Sequence, residues 1–164
     1  MCGIVGYLGP RDASPVLLEG LRRLEYRGYD SAGISILTEE GVLKTVKRPG
    51  KISVLEEALD GNRPVGHCGI AHTRWATHGR PSESNAHPHI CRNRVAVVHN
   101  GIVENHARLR DQQKELEFAF TSETDTEVIA HQIYHHLDRG NSLLQAVQRA
   151  CGELEGAYAL GVVS

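Results

Sequence analysis

The sequence predicts an α+β fold in a single domain, and three observations carry that prediction. The chain has 164 residues, enough for one core, since chains of ~150 residues take about 68–70% of their unfolded surface out of water on folding. Apolar runs of strand length alternate with stretches whose apolar residues recur at helical spacing. Two of the strand-length runs, 32–38 and 42–47, flank Glu39-Glu40-Gly41, the pattern of an antiparallel hairpin with a three-residue loop.

Element by element, residues 3–9 read as a strand. Ser14-Pro15 supplies an N-cap and a first-turn proline, and Val16, Leu17, Leu21 and Leu24 then line one face of a helix that ends before Gly28. The hairpin follows, then a short helix over 53–59. Strands are predicted over 65–72 and 94–99, separated by the Pro- and His-containing segment 75–89, which has no clear period. A connection of that length inside a compact domain is usually a functional lid or a disordered segment. Residues 105–116 read as a helix and 118–120 as a short strand. Thr124-x-x-Glu127 is a capping box for a helix with Ile129, Ile133 and Leu137 inward, Ser142-x-x-Gln145 opens another helix, and 157–163 is a last strand. No internal repeat, low-complexity tract or linker marks a second domain. The chain stops one residue after the last strand without a turn or cap, as if inside a fold.

Composition removes several classes of function. Net charge is −2 and the Lys and Arg residues are scattered apart from Arg22-Arg23 and Lys47-Arg48, so no basic face invites nucleic acid. No apolar run approaches the ~18 residues of a membrane span, and no basic segment followed by an apolar run opens the chain. Export and insertion are not expected. Cys2, Cys68, Cys91 and Cys151 lie far apart with no CxxC pair, which argues against a zinc site or a disulfide framework and for reduced cytosolic thiols. His87-Pro88-His89 and His135-His136 lack acidic or cysteine partners at ligand spacing, so no metal is expected. Neither a dinucleotide loop nor a P-loop is present.

Cys2 is the most informative residue. Loss of Met1 would leave a thiol and an α-amine on the same residue, and an α-amine, with a reference pKa of about 7.7–8.0, is partly unprotonated near neutrality and can serve as base to the thiol. Asn100-Gly101 follows the apolar strand after a single residue, His99. The pair is the commonest tight-turn signal, and it is also a candidate oxyanion hole, with the amide and the glycine N–H as donors. His72-Thr73-Arg74-Trp75-Ala76-Thr77-His78-Gly79 runs from a strand into the long connection. There Arg74 can hold a carboxylate through its fork of donors, with Thr77 and His78 adding hydrogen bonds. Asp125 is either a first-turn acidic residue favoured by the helix dipole or the partner of an ammonium. Arg74 and Asp125 together describe an amino-acid site. Arg27-Gly28-Tyr29-Asp30-Ser31-Ala32-Gly33 reads as a tight junction supporting that site, or as a plain turn.

Cys2-Gly3-Ile4-Val5-Gly6 resembles the opening of the amino-terminal-nucleophile glutamine amidotransferases. Three longer motifs narrow the likeness: residues 25–33, residues 72–79 with Asn85-Ala86-His87-Pro88-His89, and Ser122-Glu123-Thr124-Asp125-Thr126-Glu127. In this order they are similar to the glutaminase domains of glucosamine-6-phosphate synthases, and the resemblance spans essentially the whole chain. It implies a four-layer αββα sandwich with Cys2 as nucleophile and Asn100 and Gly101 as oxyanion hole. Arg74, Thr77 and His78 would bind the glutamine α-carboxylate and Asp125 its α-ammonium. Trp75 would lie in the loop that closes over the substrate, and Arg27 and Asp30 would support the site.

The resemblance further implies L-glutamine as substrate, no cofactor, fructose 6-phosphate as acceptor in a separate domain, and a cytoplasmic homodimer for the full-length enzyme. The family's glutaminase domain continues beyond Ser164 and is followed by a sugar-phosphate isomerase domain. Residues 1–164 are therefore expected to be a glutaminase domain incomplete at its C-terminal end, and a weak glutaminase when isolated. Two other readings remain open: an amidotransferase with another acceptor, and a non-catalytic module of the same fold.

Overall fold

The computed structural model describes residues 2–75 and 80–164. The first half of the chain forms β1 (Gly3–Leu8), α1 (Ala13–Leu24), a 3-10 turn (Glu25–Arg27), β2 (Ser31–Leu37), β3 (Leu43–Pro49), α2 (Ile52–Leu59) and β4 (Cys68–Arg74). These strands make one antiparallel sheet in the order β1-β4-β2-β3. The second half adds β5 (His89–Cys91), β6 (Val95–Val103), α3 (His106–Glu115), α4 (Thr126–Asp138), α5 (Leu143–Glu153) and β7 (Gly156–Val163), with a second antiparallel sheet in the order β5-β6-β7. Among the described residues no helix is long and apolar enough to cross a membrane.

The layering follows from the alternation of side chains along a strand. On β4, Ala71 packs with Leu17, Leu21 and Leu55 under α1 and α2, while its neighbour Ile70 packs on the opposite face against Ala96 and Val98 of β6. On β6 itself, Val95 and Val97 turn instead to Val128, Ile129 and Ile133 of α4 and to Ala146 and Ala150 of α5. Helices therefore cover the outer face of each sheet and the sheets face one another, giving the expected four-layer αββα sandwich. Strands buried on both faces carry unbroken apolar runs, and Val95-Ala96-Val97-Val98 is such a run.

Several local signals act differently from their sequence reading. The N-cap of α1 is Asp12, whose carboxylate accepts from the Ser14 N–H at 3.3 Å. The Ser14 hydroxyl is fully buried and donates to the Pro64 carbonyl instead. Residues 118–120 pair with no strand; the Phe118 N–H donates to Gln113 O at the end of α3, and the Ala119 carbonyl faces His131 Nε2 at 3.1 Å. The expected capping box at Thr124 and Glu127 does not form, because both side chains are engaged elsewhere: Thr124 Oγ1 lies 2.9 Å from His89 Nε2, and Glu127 turns back to Thr121 and Ser122. The box at Ser142 and Gln145 is present in both directions. The hairpin forms as expected, with Leu37 opposite Leu43.

Candidate active site

Along the gap between the sheets, the inward positions of β4 run Ile70, His72, Arg74, and those of β6 run Ala96, Val98, Asn100. Apolar side chains give way to polar ones toward the same end. Gly3 pairs with Thr73, so Cys2 emerges beside the end of β4. There the Trp75 N–H donates to Cys2 Sγ at 3.2 Å, and the Trp75 carbonyl lies 3.6 Å from the same sulfur. Arg74 is only 5% exposed. Asp30 holds this exit strand by donating its N–H to the Arg74 carbonyl at 2.8 Å, while its carboxylate accepts from the Ser31 hydroxyl at 3.0 Å. Gly28, at φ +72°, leaves room for the Trp75 ring, which any β-carbon there would overlap.

Asn100-Gly101 is not a turn. Both residues lie inside β6, opposite Ala159 and Tyr158 of β7. Gly101 has φ +129°, and a β-carbon there would collide with the Ala157 carbonyl, so the glycine is required by the close approach of the neighbouring strand. His72 Nε2 sits 2.8 Å from Asn100 Oδ1 and 3.1 Å from the His99 carbonyl. Asp125, just before α4, accepts from the Val103 N–H at 2.9 Å through Oδ2, and its Oδ1 lies 3.8 Å from His99 Nδ1. His99 is held in turn by Thr126 Oγ1 at 3.0 Å. Burial pushes the His99 pKa below its ordinary value, against the pull of the Asp125 carboxylate.

Cys2, Arg27, Arg74, Trp75, Asn100, Gly101 and Asp125, separated by up to 123 positions, line one cavity of about 650 Å³. Asp30 stands behind the wall. Thr77 and His78, the other two residues expected at the carboxylate, lie outside the described residues.

Sequence reasoning missed the residues that support this wall. His87, His99, Thr124 and Thr126 line the cavity as well, and His72 and His89 are buried behind it. Burial drives the His72 pKa down to about 4 and those of His87 and His89 well below 6.5, so all three are neutral at physiological pH. The available signal for His72 was its place two residues before Arg74 in a strand, which puts both on one face. Lys47 on β3 was also missed. Its Nζ donates to the carbonyls of Ala86 at 2.8 Å and Ser84 at 3.3 Å, anchoring the approach to His87, and burial lowers its pKa to about 8.

Asn85 joins that segment to the next motif, accepting from the Glu123 N–H at 2.9 Å and donating to the Glu123 carboxylate at 3.2 Å. Glu127 is 2% exposed and accepts from the N–H and hydroxyl of both Thr121 and Ser122 at 2.7–2.9 Å. Burial alone would raise its pKa, but these donors hold the carboxyl below its ordinary value.

Residues 72–164 match the family model described as a glutamine amidotransferase domain. The chain is 56% identical over 163 residues to the glutamine–fructose-6-phosphate aminotransferase (isomerizing) of Legionella pneumophila strain Paris, covering 99% of this chain and 27% of that protein. It is also 56% identical over 164 residues to the same-named protein of Pseudomonas aeruginosa, covering 100% and 27%. The chain thus spans 27% of the length of these relatives. Among solved structures, a glutamine phosphoribosylpyrophosphate amidotransferase from B. subtilis complexed with ADP and GMP superimposes with a TM-score of 0.83 at 27% identity, over 100% of this chain and 35% of that one. A structure described as the allosteric regulatory enzyme of purine biosynthesis gives the same TM-score, 0.83, at 28% identity, covering 99% and 35%.

Proposed function

Because the chain belongs to the glutamine amidotransferase family, we propose that its cavity takes L-glutamine and that Cys2 hydrolyses the side-chain amide to glutamate and ammonia. With Met1 removed, the α-amine of Cys2 accepts the thiol proton while Sγ attacks the amide carbon. The carbonyl oxygen becomes a tetrahedral oxyanion that receives hydrogen bonds from the Asn100 amide and the Gly101 N–H. The proton passes to the amide nitrogen, ammonia leaves, and water then cleaves the γ-glutamyl thioester to release glutamate and restore the thiol. Arg74 takes the substrate α-carboxylate with Thr77 and His78, and the Asp125 carboxylate takes the α-ammonium. Trp75 covers the reacting end, Arg27 contributes to the cavity wall, and Asp30 holds the backbone of Arg74. No cofactor takes part in these steps.

The observation that carries this reading is the convergence of Cys2, Arg74, Asn100 and Asp125 on one cavity from four separate points of the sequence. Residues 1–164 form a glutaminase domain in this reading, and ammonia goes to fructose 6-phosphate bound in a second domain. The 56% identity to aminotransferases named for that sugar supports it over phosphoribosylpyrophosphate, where the likeness is 27%. The family likeness also favours a cytoplasmic homodimer without nucleic-acid or membrane partners. The test is covalent labelling with a glutamine-like diazo ketone followed by intact mass and peptide mapping. Label on Cys2 with Met1 absent is expected, together with loss of glutamate release in Cys2→Ala. Label on Cys68, Cys91 or Cys151 with Cys2 untouched would reject the assignment.

A further inference from the structure

His72 is fully buried and forms no part of the cavity wall, yet it touches the one side chain proposed to donate to the oxyanion. Its Nε2 lies within hydrogen-bond distance of two oxygens, the His99 carbonyl at 3.1 Å and Asn100 Oδ1 at 2.8 Å. A backbone carbonyl only accepts, so Nε2 must carry the proton. The amide atom of Asn100 that meets it must then be the oxygen, because the amide nitrogen would set donor against donor. An amide has one oxygen and one NH2 group. With the oxygen turned inward to His72, the NH2 group is left to face the cavity that Asn100 lines.

The imidazole is itself held in place. His87 Nδ1 stands 3.1 and 3.2 Å from the two His72 nitrogens, over the ring face rather than along one lone pair, with ring centroids 4.2 Å apart. Burial keeps His72 neutral, so Nδ1 carries no proton and the Nε2–H tautomer is the one present.

We propose that His72 is a positioning residue for the oxyanion hole: its Nε2–H pins Asn100 Oδ1 and thereby presents the Asn100 NH2 group to the substrate carbonyl. This inference rests on the glutaminase reading and adds the element that makes one orientation of Asn100 the productive one. His72 touches no substrate. Its whole effect passes through Asn100, and that is what separates it from a residue that merely fills the core.

The experiment is a double-mutant cycle in the full chain, with glutamate release followed in His72→Phe, His72→Gln, Asn100→Ala and the His72→Phe/Asn100→Ala pair. Removing one oxyanion donor slows kcat by about 10²–10³-fold. Asn100→Ala and His72→Phe are both expected in that range with the glutamine KM changed less than about threefold, because neither touches the α-carboxylate or α-ammonium. His72→Gln, which keeps an N–H donor, should recover at least tenfold over His72→Phe. The pair should be no slower than Asn100→Ala alone. A further loss in the pair, or a His72→Phe kcat equal to wild type, overturns the proposal.

Should His72→Phe fail to fold by circular dichroism, the imidazole ¹⁵N shifts of His72 in the unaltered protein decide the matter. A protonated Nε2 and bare Nδ1 support the proposal, and the opposite tautomer overturns it. Failure of the glutaminase reading is recognised separately, as a wild-type protein that neither releases glutamate nor takes label at Cys2.

Discussion

The two ends of the gap between the sheets are built from the same strands at the same parity, yet one is core and the other is the candidate site. At one end Ile70 of β4 meets Ala96 and Val98 of β6. Two residues further along each strand, His72 meets Asn100. Strand pairing does not distinguish these ends, since β4 remains paired with β1 and β2 as far as Thr73 and β6 with β7 from Ala96 to Val103. Side-chain chemistry does. The apolar end gains stability from removing area from water, whereas the polar end depends on pairing buried donors with acceptors, as His72 Nε2 does with Asn100 Oδ1. The lesson is that the site is a continuation of the core with polar residues on the same register, so its precision is inherited from sheet packing.

That comparison predicts a separation of effects. The largest concerns stability at the apolar end. Ile70→Ala removes a side chain that is 5% exposed and should cost about 2–5 kcal/mol in denaturant unfolding, while protein that is still folded keeps its glutamine KM. A KM raised along with the loss of stability would mean that the two ends are not independent. At the polar end the pattern should reverse. Arg74→Ala is expected to weaken glutamine binding by roughly 1.5–3 kcal/mol, the worth of a hydrogen-bonded charged partner, read as a raised KM. An unchanged KM would remove Arg74 from the carboxylate site.

A smaller, graded effect should appear with acid. The folded-state pKa of His72 is lowered from 6.5 to about 4, and those of His87 and His89 are lowered as well. Below pH 6.5 the unfolded chain therefore binds protons that the folded protein refuses, and stability must fall as pH drops from 6.5 toward 4, by up to about 1.4 kcal/mol per pH unit for each such histidine. Urea midpoints at pH 7 and pH 5 check this, with His72→Gln falling less steeply than wild type. Equal slopes for the two proteins would place His72 outside the buried neutral set.

On the alkaline side Lys47 provides the opposite window. Its pKa is lowered from 10.5 to about 8, so the folded protein sheds this proton before the unfolded chain does, and wild type should gain stability relative to Lys47→Met between pH 8 and 10.5. The neutral amine keeps two N–H groups for the carbonyls of Ser84 and Ala86. A constant difference between the two proteins across that range would contradict the burial of Lys47.

Much of this molecule is legible in its sequence because local chemistry is short-ranged. The hairpin at Glu39-Glu40-Gly41, the capping box at Ser142 and Gln145, and the doubly buried strand at Val95-Ala96-Val97-Val98 each follow from a few adjacent residues. Cys2, Arg74, Asn100 and Asp125 could be singled out as chemistry-bearing residue types, and the cavity contains all four. Where a side chain had two local options, however, neighbours remote in sequence chose between them. Ser14 gave its hydroxyl to Pro64 rather than to a helix end, Glu127 gave its carboxylate to Thr121 and Ser122 rather than to a cap, and Asn100-Gly101 was drawn into a ladder with β7 rather than a turn.

The sequence by itself determined the alternation of strands and helices, the reactive residue types and the family motifs, all of which depend on spacing along the chain. Only the tertiary structure decided that Asn100 faces His72, that Lys47 holds the approach to His87, and that Gly28 seats the Trp75 ring. Those pairings are set by the register and separation of elements 28 to 47 positions apart, and a hydrogen bond or a van der Waals contact reaches only a few ångströms. No local pattern encodes which distant residue will stand within that reach.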